Sequence, residues 1–151
     1  MKVYKNILLE KERLKILKFV KTTVKNLGPD FPGLQSLPNL HKHKELKTLI
    51  DKTKHITKGY QIQKCWANFS NWYFTYYICW HNHVDCNKSM VYYLKNKSNI
   101  GTMFKKEGLK LEISKGLQNS ALIFDSNLTH SVPCHLFENR YSIAFDLIKV
   151  K

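Results

Sequence analysis

Near the start of the chain, apolar residues recur every three to four positions. Leu17, Val20, Val24 and Leu27 share one face of a helix predicted between Glu10 and Asn26, and Gly28-Pro29 supplies its stop. The stretch from Pro29 to Leu40 holds three of the four prolines and Gly33, so it reads as a structured loop. A second helical pattern places Leu46, Leu49, Ile50 and Thr53 on one face, with lysines opposite, and ends before Gly59.

From Tyr60 onward the period changes. Short runs rich in β-branched and aromatic residues alternate with Asn, Ser, Gly and Lys clusters, as in antiparallel sheet. The predicted strands are Ile62 to Phe69, Tyr73 to Trp80, Ser89 to Leu94, Gly101 to Phe104, Leu109 to Ile113, Ser120 to Phe124, His130 to Cys134 and Tyr141 to Ile148. About eight strands after two helices predict a mainly β fold, a double-stranded β-helix (jelly roll) supported by two α-helices. With 151 residues the chain is expected to form one domain, residues 1–59 being helical support and loop and residues 60–151 the jelly-roll core.

Composition narrows the picture little. The 25 Lys and Arg against 11 Asp and Glu leave a charge of +14, which suits nucleic acid, an acidic protein or an anionic small molecule as partner, and equally a well-solvated surface. Cys65, Cys79, Cys86 and Cys134 form no C-x-x-C pair, so reduced thiols in a cytoplasmic protein are expected and a structural zinc is not. Residues 1–25 interleave Lys and Glu with apolar positions, which predicts neither a secretory leader nor a membrane span.

The chemistry sits late in the chain. His83-Val84-Asp85 is an H-x-D triplet, and in an extended chain residues i and i+2 point to the same side, so both can reach one metal. A third ligand comes from downstream, where His130 opens a predicted strand. Two histidines and a carboxylate occupy one face of iron(II) and leave the other for a bidentate cosubstrate and O2. His81 shares a side with His83, which leaves it open as a rival ligand, a group behind the ligands or a substrate-facing group.

Ten residues after His130, Arg140 and Ser142 share a face of the apolar strand Tyr141 to Phe145. A buried guanidinium needs an anionic partner, and its fork matches a carboxylate. Glu138, Asp146 and the distal carboxylate of 2-oxoglutarate are the candidates. The aromatic run Trp72 to Trp80 serves either sheet packing or stacking on a substrate ring. Cys86 stands close to the ligands in sequence, where oxidation is one fate and a small strand-end residue another.

Four motifs carry a resemblance. Trp66-Ala67-Asn68, His81-Asn82-His83, Val91-Tyr92-Tyr93 and Arg140-Tyr141-Ser142-Ile143-Ala144-Phe145 occur in the order seen in the 2-oxoglutarate/iron(II) oxygenases of the prolyl-hydroxylase-like group. The chain is particularly similar to the small members found in phage and bacteria, over about Trp66 to Asp146. Met90 stands where those members carry a small residue before V-Y-Y.

The resemblance implies iron ligands His83, Asp85 and His130, and Arg140 and Ser142 on 2-oxoglutarate. It also implies a hydroxyl from Tyr93 and a pocket lined by Tyr77 and Asn68. The activity it implies is hydroxylation of a C–H bond, of a protein side chain or a small molecule, with release of succinate and CO2. Two other readings remain at this stage. One is a metal-free jelly-roll module binding nucleic acid through the basic surface, and the other a cupin-like metalloenzyme without 2-oxoglutarate.

Overall fold

A computed structural model describes residues 1–27, 34–71, 80–106, 110–133 and 138–150. Two antiparallel sheets face one another. The larger has six strands: β1 (Lys2–Lys5), β2 (Leu34–Gln35), β3 (Tyr60–Ser70), β4 (Lys88–Lys95), β7 (Ser120–Asp125) and β9 (Arg140–Lys149), in the order β1-β7-β4-β9-β3-β2. The smaller sheet has β5 (Ile100–Lys105), β6 (Leu111–Lys115) and β8 (His130–Ser131), in the order β6-β5-β8. This is the expected jelly roll. Two edge strands, β1 and β2, are additions to the expectation, β8 is shorter than expected, and the predicted strand Tyr73 to Trp80 lies outside the described residues apart from Trp80.

Alternation along β9 explains how one sheet serves two purposes. Tyr141, Ile143, Phe145 and Leu147 join the larger apolar core, which also contains Ile16, Leu17 and Val20 of α1 (Glu10–Thr23) and Leu49 of α2 (Lys47–Thr53). Arg140, Ser142, Ala144 and Asp146 alternate with them and line the cavity between the sheets. A smaller apolar cluster of Tyr93, Phe104, Leu122 and Phe124 packs between the sheets beside that cavity. Helix α1 ends at Thr23, earlier than its apolar periodicity suggests, and α2 is preceded by two 3-10 turns, Leu40–Lys42 and Lys44–Leu46. Arg13 pins α1 to the sheet by donating to the Leu94 carbonyl at 2.7 Å. Among the described residues no helix is long and apolar enough to cross a membrane.

Candidate metal and cosubstrate site

The site is held by chain crossings rather than by one motif. His81 and His130 form an isolated antiparallel bridge, with backbone hydrogen bonds of 3.0 and 2.9 Å in the two directions. The His83 backbone N–H donates to Ser126 at 2.9 Å. His81 and His83 therefore sit in locally extended chain, and their side chains reach His130. The ring centroids are 4.4 Å apart for His81 and His130, 5.2 Å for His83 and His130, and 5.2 Å for His81 and His83. One ring nitrogen of each lies within 4.8 Å of the others, a spacing that a single metal ion can draw together.

Asp85 is not in this cluster. The extended chain ends at His83 and turns through Val84 and Asp85, leaving Asp85 exposed. The turn is closed by Ser126, whose hydroxyl donates to the Cys86 carbonyl at 2.5 Å. The same-side rule that paired His83 with Asp85 requires an extended strand. It holds for His81 and His83 and lapses one residue later.

His130 is prepared for a metal. Its Nδ1 lies 2.8 Å from the Leu128 carbonyl, which can only accept, so Nδ1 carries the proton and Nε2 keeps its lone pair. Burial lowers its pKa to about 4, helped by His81 and His83 nearby, so the ring is neutral at pH 7. Phe124 packs edge-on against it at 4.9 Å, and Trp66 stacks on His83 at 5.6 Å.

Further along the cavity Arg140 is 1% exposed, and its Nε and Nη1 have no hydrogen-bond partner among the described residues. Burial pulls its pKa down, against Tyr93 and Glu138. Neither protein acid weighed from the sequence pairs with those nitrogens. The Glu138 carboxylate accepts the backbone N–H groups of Lys97 and Ser98 at 2.6 and 2.9 Å, and Asp146 Oδ1 lies 3.1 Å from His83 Nδ1. Ser142 and Asn68 line the same cavity, whose volume is about 670 Å³.

Tyr93, expected to offer its hydroxyl to 2-oxoglutarate, uses that hydroxyl within the protein. Its ring lies under the guanidinium, 5.3 Å from centroid to Cζ, while its hydroxyl is 2.9 Å from Thr102 Oγ1 and accepts the Thr102 N–H at 3.0 Å. Thr102, rather than the Tyr93 hydroxyl, lines the cavity. Tyr77 lies outside the described residues. Cys86 donates weakly to the His83 and Lys88 carbonyls, and burial raises its pKa. Cys79 and Cys134 are not among the described residues.

Sequence reasoning weighed Asp146 as a partner for Arg140 rather than for a histidine, used Trp66 as a motif residue alone, and gave Thr102 no place in the site. The alternation Arg140, Ser142, Ala144, Asp146 was the available signal for Asp146.

No protein-family model and no curated protein matches this chain. Solved structures do. HygX from Streptomyces hygroscopicus, solved with nickel, 2-oxoglutarate and hygromycin B bound, is 12% identical with a TM-score of 0.73 over 98% of this chain and 82% of its own. The viral collagen prolyl hydroxylase of Paramecium Bursaria Chlorella virus-1, in its 2-oxoglutarate complex, is 14% identical with a TM-score of 0.64 over 99% and 96%. A Trichoplax adhaerens prolyl hydroxylase, in complex with a hypoxia inducible factor peptide, is 15% identical with a TM-score of 0.65 over 98% and 83%. With a three-histidine cluster at one part of its cavity and a buried guanidinium with two nitrogens unpaired among the described residues at another, the chain has the fold of the 2-oxoglutarate/iron(II) oxygenases.

Proposed function

We propose that this protein is an iron(II)- and 2-oxoglutarate-dependent oxygenase that hydroxylates a C–H bond of a protein side chain and releases succinate and CO2. The observation that carries the reading is Arg140: a guanidinium buried to 1% exposure, with two nitrogens unpaired among the described residues, facing the cavity of the histidine cluster. An isolated buried cation costs several kcal/mol, roughly, unless an anion meets it. A dicarboxylate whose other end chelates a metal supplies that anion.

His81, His83 and His130 would hold the metal through three neutral nitrogens, and Asp85 would stay outside. The bound metal and cosubstrate supply the oxidation; the chain orients them. Arg140 receives the distal carboxylate, with Ser142 and Thr102 as hydroxyl donors beside it. Phe104 and Phe124 keep water from His130, and Trp66 holds the plane of the His83 ring. The cavity lining includes Leu27, Leu37 and Pro38, which suit an aliphatic or prolyl side chain. A nucleic-acid module that kept only the fold would have no use for this cluster and cation together, and a cupin-like enzyme without 2-oxoglutarate would have none for Arg140.

Anaerobic titration with iron(II) and then 2-oxoglutarate tests the reading. The wild type should bind one iron and develop the visible charge-transfer band of the chelate. His81→Ala, His83→Ala and His130→Ala should lose tight iron binding with circular dichroism unchanged, and Asp85→Ala should keep it. Absence of both iron binding and the band in the wild type would reject the function. Loss in Asp85→Ala with retention in His81→Ala would restore the carboxylate ligand.

A further inference from the structure

Asp146 is the second buried charge in the cavity, and no step above uses it. It is 4% exposed and projects from the same face of β9 as Arg140. Its Oδ1 lies 3.1 Å from His83 Nδ1, and no donor among the described residues is aligned on that oxygen. Its neighbours across the sheet are Lys64 on β3 and Ser89 on β4. Among the described residues, Lys64 is exposed and forms no ion pair with it, and the Ser89 hydroxyl is buried without a hydrogen-bond partner. The one ion-pair contact of Asp146 among the described residues is thus an imidazole of the histidine cluster.

A buried carboxylate with so little compensation is unfavourable unless positive charge arrives nearby. We propose that Asp146 is the positioning carboxylate of the metal site: it accepts the Nδ1–H of His83, fixes that tautomer and turns Nε2 toward the metal. It thereby returns to the site the negative charge that three histidine ligands lack.

This rests on the metal reading above. Direct ligation by Asp146 is the rival, and two observations disfavour it. Among the described residues the group with mutually close ligand atoms is His81, His83 and His130, so Asp146 reaches the cluster through His83 alone. A fourth protein ligand would also leave too few positions on a six-coordinate ion for a bidentate cosubstrate and O2. A carboxylate behind a histidine ligand raises its basicity and locks its ring. The off-line approach of N–H and oxygen is corrected by a rotation of the imidazole about its Cβ–Cγ bond.

The experiment has two arms. In metal-free wild type, nitrogen NMR of the histidine rings should find His83 in the Nδ1–H form; the Nε2–H form would overturn the proposal. In the second arm, iron(II) affinity is measured anaerobically by chelator competition for wild type, the isosteric Asp146→Asn and Asp146→Ala, alongside thermal melting of the metal-free proteins. We expect affinity to fall on the order of 10–100-fold in the Ala variant and less in the Asn variant, which keeps an acceptor. The visible spectrum of the cobalt(II)-loaded variants should shift as His83 loosens.

Wild-type affinity and an unchanged cobalt spectrum in both variants would overturn the role, as would a lowered melting temperature with metal binding intact. Failure of the underlying metal reading looks different, because the wild type itself would then bind no iron.

Discussion

Burying a guanidinium with two nitrogens unpaired is expensive, so Arg140 should weaken the ligand-free protein and repay that cost only when a carboxylate binds. Arg140→Lys keeps a charge but loses the fork, and Arg140→Ala loses both. Affinity for 2-oxoglutarate should fall in the first and by about 2–5 kcal/mol in the second, with iron stoichiometry unchanged. Arg140→Met fills the space with apolar atoms and should melt no lower than wild type without ligands. Succinate production against 2-oxoglutarate concentration, with iron content alongside, is the measurement. Unchanged cosubstrate dependence in Arg140→Ala would reject Arg140 as the anchor. The shared face of Arg140 and Ser142 was legible because strand alternation is local: a charge two residues from a hydroxyl in an apolar run must share its face. Asp85 stands apart from the histidine cluster for a reason at the same scale. The rule that joins residues i and i+2 is a property of extended backbone, and nothing in His83-Val84-Asp85 shows that Ser126, more than forty residues away, closes a turn there.

Among elements, the junction of β1 and α1 with the β4–β7 pair depends on Asn119. Its φ of 63° is left-handed, its Oδ1 accepts the Leu8 N–H at 2.9 Å and the Tyr92 hydroxyl at 2.8 Å, and its Nδ2 donates to the Leu8 carbonyl at 2.7 Å. Asparagine tolerates that backbone better than most residues. Asn119→Ala removes three hydrogen bonds, leaves buried groups unpaired and keeps the strained φ, so it should cost on the order of 2–4 kcal/mol in urea unfolding. Asn119→Asp keeps the acceptor and should cost less. An Ala variant as stable as wild type would show the junction to be held by packing alone. The same junction shows why β1 escaped sequence reading. Lys2-Val3-Tyr4-Lys5 is a four-residue run flanked by lysines, and its pairing with β7 is made by contacts more than a hundred residues away. Strand β2 is two residues long inside the loop read from its prolines, and it exists through its pairing with Phe69 and Asn68. The longer strands β3, β4, β7 and β9 carried their own alternation, and there the sequence and the structure agree to within a few residues.

Over the whole molecule the excess positive charge and the interior site are separate features. The charge of +14 comes mostly from lysines, while the proposed chemistry lies in a cavity whose buried charges are one arginine and one aspartate. A basic exterior draws anions toward the molecule, the 2-oxoglutarate dianion among them, and nucleic acid as well. Attraction of that kind carries no sequence preference and fades with salt. If about five phosphates are engaged, affinity for duplex DNA should fall on the order of several hundred-fold between about 50 and 200 mM salt, equally for unrelated sequences. Variants at Arg140, His83 and Asp146 should bind nucleic acid as wild type does, because their side chains lie inside the cavity. Fluorescence anisotropy across a salt series, with two unrelated duplexes and one single strand, is the measurement. Selective binding that survived physiological salt would mean the surface is built for a nucleic-acid partner. The oxygenase site would then have to be read as acting on that partner, and the proposal of a protein side chain as substrate would fall.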